Sequence, residues 1–223
     1  MSKKRTIALT ISAIAVALGI GAQFYTNHKI DQVLKNFPYS LDNQATLNVT
    51  QTAKNFFIRE LIFSVKDSDA KSTNVISTKL TALPFFITAE SQLSEQLVRQ
   101  LNKTLNITID KNTINSKFSP VGDYLQSDIL TEFRDFANKS QNLSIGLNFL
   151  KNKEVELKTN LSGFNYDKDT KLEQIEGEAH LVPVGANQYD LSSIDLTAKN
   201  AEVALLNGEN THVYFKNATY HFD

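Results

Sequence analysis

Apolar residues recur at every second position along much of this chain. Leu47 and Val49 do so in TLNVT. Leu61, Phe63 and Val65 alternate with Ile62, Ser64 and Lys66, and Ile76, Thr78 and Leu80 follow. Period two with β-branched and aromatic side chains predicts half-buried strands. Asp67–Thr73, DSDAKST, is the polar turn between two of them. From Leu143 the pattern becomes a meander. Leu143, Ile145, Leu147 and Phe149 lead through the turn Lys151-Asn152-Lys153 to Val155, Leu157 and Leu161. After the turn Asp167-Lys168-Asp169 come Ala179 and Leu181, then Leu191, Ile194 and Leu196, then Val203 and Leu205, and last Val213 and Phe215. Asn207-Gly208 is a hairpin signal, because both residues tolerate positive φ.

Two stretches keep a helical period instead. In Ser91–Leu105, Leu93, Leu97, Val98, Leu101 and Leu105 form one stripe, opposite Gln92, Glu95, Gln96, Arg99 and Gln100. Ile107 and Ile109 then make a short strand. Ile129, Leu130, Phe133, Phe136 and Ala137 predict a second helix over Asp123–Asn138.

Thr6–Tyr25 is a run of 20 residues without a charge. As a helix it would be about 30 Å long, the thickness of a hydrocarbon core. Lys3, Lys4 and Arg5 precede it, which places the N-terminus on the cytoplasmic side. A cleaved leader opens the same way, and Ala17-Leu18-Gly19 and Ile20-Gly21-Ala22 suit cleavage. The run continues instead into Ile30, Val33, Leu34 and Phe37 on one helical face as far as Pro38, so we read it as an uncleaved signal-anchor. Ala13, Ala17 and Gly21 have small-xxx-small spacing, which permits close helix contact. The expected organisation is a basic cytoplasmic tail (1–5), a transmembrane helix (6–25), a juxtamembrane helix (26–38) and an exported β-rich domain (39–223). The fold class this implies is α+β: a transmembrane helix, then a long twisted antiparallel sheet covered on one face by two helices. The location it implies is a bacterial inner membrane, single-pass, with the bulk periplasmic.

Composition narrows the chemistry. Of 223 residues, 41% are hydrophobic and 21% charged, which is globular rather than disordered. The absence of Cys excludes disulfides, cysteine nucleophiles and thiolate metal sites. Setting aside Lys3, Lys4 and Arg5 leaves 20 basic residues against 24 acidic ones, a net of −4 that attracts neither nucleic acid nor anionic lipid heads. His28, His180, His212 and His221 show no metal-ligand spacing. Asp167, Asp169, Glu173, Glu176 and Glu178 cluster, but they fall in turns and on alternate strand positions, as a solvated face requires. Asn48, Asn102, Asn106, Asn138, Asn142, Asn160 and Asn217 begin N-x-S/T triplets, which chance explains in a chain this rich in Asn, Ser and Thr. No catalytic, cofactor-binding or metal-binding residue is nominated, and the expectation is a protein that is not an enzyme.

The chain resembles the YdgA-like bacterial family, which carries a domain of unknown function. The resemblance lies in Lys3-Lys4, the span with Gly19 and Gly21, Phe24-Tyr25 and His28-Lys29-Ile30-Asp31. It continues in Phe56-Phe57-Ile58-Arg59 leading into Glu60–Lys66. Pro84-Phe85 looks like the core of the family's His-Gly-Pro-Phe-Pro, with Ala82-Leu83 in place of His-Gly and Phe86 in place of the second Pro. Phe136–Lys139 before the Leu143–Phe149 strand and Leu161–Tyr166 are also similar. The resemblance implies a membrane-anchored, periplasmic, β-rich protein whose relatives are longer, so that this chain looks like their N-terminal part.

Two functions are carried forward. One is a non-enzymatic envelope scaffold or interaction module. The other is a lipid-handling protein with an apolar groove on a curved sheet. A sheet apolar on both faces, with one left uncovered, would favour lipid; a second face of Ser, Thr, Asn and Lys would favour the scaffold, and the alternation points to polar outer faces. Thr211–Phe222 reads as a last strand that is an open edge or is paired only with an earlier strand, a place for β-augmentation in a truncated relative.

Overall fold

Alternating sequence builds one antiparallel sheet. The computed structural model describes residues 20–40, 45–67, 71–122, 124–185, 188–205 and 211–222. Helix α1 covers residues 20–34. Twelve strands and a second helix follow: β1 (Tyr39–Ser40), β2 (Thr46–Lys54), β3 (Ile58–Lys66), β4 (Ser72–Leu83), β5 (Phe86–Leu93), α2 (Glu95–Leu105), β6 (Thr108–Ser119), β7 (Tyr124–Arg134), β8 (Ser140–Phe149), β9 (Val155–Asn165), β10 (Lys171–Gly185), β11 (Gln188–Leu205) and β12 (Thr211–Phe222). Strand order follows chain order from β1 to β12, and each strand pairs antiparallel with its sequence neighbours. The last strand, β12, pairs with β11 alone among the described strands.

Short polar side chains close the hairpins. Asn55 Oδ1 accepts from the amides of Phe57 (2.9 Å) and Ile58 (2.6 Å). Asp167 Oδ1 accepts from the amides of Asp169 (2.8 Å) and Thr170 (2.6 Å). Asn152 Oδ1 accepts from Glu154 N–H at 3.1 Å. The Asn207-Gly208 hairpin lies outside the described residues. Leu191 and Ile194 break strict alternation, yet both face the same way. They pair with Leu181 and Ala179, and the register shift there leaves Ser192 as the extra residue of a bulge.

The expected fold class is corrected in two respects. First, no helix among the described residues is long and apolar enough to cross a membrane. Thr6–Gly19 lies outside the described residues, and Ile20–Tyr25 belongs to α1, which lies on the sheet. Ala22, Gln23 and Thr26 are buried there. Gln23 Nε2 donates to the carbonyls of Phe56 (3.0 Å) and Ala82 (2.9 Å). The transmembrane signal-anchor, the single-pass inner-membrane location and the membrane as partner are therefore not supported.

Second, the helix expected over Asp123–Asn138 is not one: its described residues, 124–138, supply β7 and the turn after it. Leu125, Ser127, Ile129, Thr131 and Phe133 alternate with Gln126, Asp128, Leu130, Glu132 and Arg134, so the segment carries a strand period beside its helical stripe. Pairing with β6 and β8 on both sides decides between them. Leu130 and Phe136, which completed the stripe, are 38% and 49% exposed. The earlier helix is also shorter than its stripe: Ser91–Leu93 ends β5, and α2 starts after Ser94, whose Oγ accepts from Leu97 N–H at 3.1 Å. No α2 residue is buried, so α2 covers little of the sheet.

The turn after β7 contains a buried carboxylate. Asp135 accepts from Lys139 N–H (2.9 Å), Gln141 Nε2 (3.0 Å), Asn165 N–H (3.2 Å) and Asn165 Nδ2. Burial pushes this carboxyl up, but these hydrogen bonds outweigh burial and hold its pKa below the ordinary 3.8. A lowered folded-state pKa gives stability that is present above the ordinary value and lost as pH falls through the folded one. Asp135→Asn turns one acceptor into a donor facing donors, at a cost of roughly 2 kcal/mol near neutral pH. Thermal unfolding from pH 7 to about 3 should show the gap between wild type and variant closing as pH falls. A gap that stays constant would show that the carboxylate's charge is not what the turn uses.

Candidate functional site

The cross-strand pairs assign side chains to two unlike faces, since directly opposed residues share a face. One row runs Leu80–Ala89–Ser116–Ser127–Leu147–Leu157–Ala179–Ile194–Phe222 from β4 to β12. Beside it runs Ile114–Ile129–Ile145–Thr159–Gly177–Leu196–Tyr220. On its other side runs Ala82–Ile87–Phe118–Leu125–Phe149–Val155–Leu181. Four hydroxyls on this face bond in pairs across strands: Thr78 with Ser91 at 2.8 Å, and Ser116 with Ser127 at 2.9 Å. The opposite face carries Glu60–Lys79–Glu90–Asn115–Asp128–Gly146–Lys158–Glu178–Asp195–His221. One face is thus hydrocarbon and the other is charged.

Helix α1 lies on the apolar face at its β3–β6 end. Ala22, Thr26, Ile30 and Leu34 recur every fourth residue, a straight ridge along the helix. Ile30 packs on Ala82 and Ile87, with Leu34, Leu80 and Phe118 around them. Polar groups fix the helix in place. Arg59, fully buried on β3, pairs with Asp31 and donates from Nη2 to the Asn27 carbonyl (3.2 Å) and Asn27 Oδ1 (3.0 Å). Lys54 Nζ reaches Asp31 at 3.2 Å. The Arg59 guanidinium holds the Asp31 carboxyl below the ordinary carboxylate range, against partial burial and with help from Lys54. Thr26 Oγ1 accepts from Phe85 N–H at 3.0 Å, where Phe85 has φ 60° in the β4–β5 turn.

Beyond these anchors, the C-terminal half of α1 bridges a cavity of 350 Å³. Ile30, Val33, Leu34 and Phe37 roof it, with the Lys29 stem at one side. Leu61, Phe63, Leu80, Ile87, Ala89, Phe118 and Leu125 form its floor with Ser116. The volume lies within the range of small-molecule sites, roughly 300–1,000 Å³. The apolar face runs on from this cavity toward β12 without a covering helix among the described residues, and Leu191, Leu196, Tyr220 and Phe222 on it are 37–56% exposed.

The residues weighed from sequence do not converge. His180 sits on the charged face opposite Glu156 and Ser193, His221 contacts Asp195, His28 is exposed on α1, and the side chain of His212 lies outside the described residues. Glu178 pairs with Lys158 at 2.8 Å, Glu176 accepts from Asn160 at 3.2 Å, and Asp167 is spent on its own turn. No group of three or more His, Asp or Glu suited to a metal occurs among the described residues. Depressions of 480 and 440 Å³, lined mostly by residues of the charged face, carry mainly hydroxyl, amide and charged groups. Sequence reasoning missed the cavity because its roof, Ile30–Phe37, reads as a juxtamembrane helix outside the exported β-rich domain. The signal was there in the small residues Ala89, Ser116 and Ser127 between large ones. Comparison with known proteins gives no match to a family model, to a curated protein or to a solved structure.

Proposed function

We propose that this protein binds the hydrocarbon chain of an amphiphile between α1 and the sheet, with the open apolar face as the continuation of the site. The observation that carries the reading is the cavity beneath α1: eleven of its thirteen lining residues are apolar. Burying a hydrocarbon chain against such a surface is favourable by about 0.8 kcal/mol per CH₂. From β3 to β12 the apolar face spans roughly 40 Å at ~4.8 Å per strand, so a chain that outgrows the cavity can lie along it.

The charged outer face meets the condition set above for an interaction module. It does not account for the apolar face, which was expected to lie under two helices and instead lies partly open, because one of them is β7. A row of exposed apolar side chains on one face is the kind of surface that takes a ligand or partner. Organic extraction of the purified full chain, followed by mass spectrometry, tests the reading. The expected result is acyl-chain lipid in near-stoichiometric amount. An extract free of acyl chains, from a chain that also fails to take up added fatty acid, would favour the interaction module.

A further inference from the structure

We infer that the amphiphile bound beneath α1 carries an anionic head group and that Lys29 is its contact. The inference rests on the chain-binding reading above and adds the class of ligand. Lys29 is the one charged residue lining the cavity, and it is half-buried. Its stem borders hydrocarbon while its ammonium lies 5.6 Å from the centre of the Tyr25 ring, one helical turn back. No carboxylate pairs with it among the described residues.

The neighbouring charges do not line the cavity. Asp31 is held by Arg59 and Lys54, and His28 and Lys35 are exposed. Ser116, the other polar lining residue, is bonded to Ser127. A cation at the rim of an apolar cavity, without a counter-ion of its own, suits a ligand whose chain enters the cavity and whose head stops at the rim. A carboxylate and a phosphate monoester both supply that head.

Competition for a bound fluorescent fatty acid on the full chain tests this with palmitate, hexadecyl phosphate and hexadecanol, which share one chain. Wild type should bind at least one of the two anions tenfold or more tighter than the alcohol, and which anion leads identifies the head group. Lys29→Gln should bring both anions down to the affinity of the alcohol measured in the same variant, and Lys29→Arg should keep the difference. Equal competition by all three, or a preference that survives in Lys29→Gln, would overturn the inference and leave chain binding standing. Failure of every ligand to bind would overturn both.

Discussion

Replacing Arg59 by Ala is expected to lower the unfolding free energy by about 3 kcal/mol and to release α1 from the sheet. The guanidinium is fully buried and ties α1 to β3 through Asp31 and both oxygens of Asn27. Its removal leaves a space beneath the helix and takes away that tie. Asp31→Asn acts from the other side, leaving a buried cation without its counter-charge. Breaking a buried pair this way costs roughly 3–5 kcal/mol. Asp31 is 39% exposed, so access of water to the site reduces the effect to about 2 kcal/mol. Because the two residues act on one interaction, the double variant should lose about 3 kcal/mol rather than the sum. Thermal unfolding measures the loss, and trypsin cleavage at Lys29 and Lys35 reports whether α1 has come free. Wild-type stability in both single variants, with α1 still protected, would show that the pair does not hold the helix.

Filling the cavity should abolish binding without unfolding the protein. Ala89 lies on the cavity floor between Leu80 and Ser116. Ala89→Phe places an aromatic ring in space that a ligand chain would take. Aromatic residues suit strands, and the cavity can hold the ring, so stability should change by less than about 1 kcal/mol. Affinity for a fluorescent fatty acid should fall at least tenfold, a change of about 1.4 kcal/mol. The matched variant Lys79→Phe, on the opposite face of β4, should bind as wild type does. Equal loss in both variants would place the ligand elsewhere.

Much of the sheet was legible because alternation is a local signal. Leu143–Phe149 and its turn at Lys151–Lys153 needed only sequence neighbours to read. The segment after Asp123 was ambiguous for a physical reason. Ile129, Leu130 and Phe133 satisfy a helical stripe while Ile129, Thr131 and Phe133 satisfy a strand, and only the partners β6 and β8 separate them. The described end of the N-terminal run, Ile20–Tyr25, lies on an apolar sheet face, and hydropathy cannot tell that from lipid. Gln23 was the discordant residue in that run, and its Nε2 donates to a turn carbonyl at Phe56 and a strand carbonyl at Ala82. The resemblance singled out His28–Asp31 and Phe56–Arg59 as separate segments. That Asp31 and Arg59 meet is a contact across 28 positions, which no local pattern contains.

On the proposed reading, a hydrocarbon chain lies against the apolar face beneath α1. Photolabelling with a fatty acid bearing a diazirine near its terminal methyl, followed by peptide mapping, tests it most directly. Labels are expected on Ile30–Leu34 of α1, on Phe37 just beyond it and on floor residues such as Leu80, Ala89 and Phe118, and they should vanish in Ala89→Phe. Labels confined to the charged face, along Lys79, Asn115 and Lys158, or labels that Ala89→Phe leaves unchanged, would contradict it.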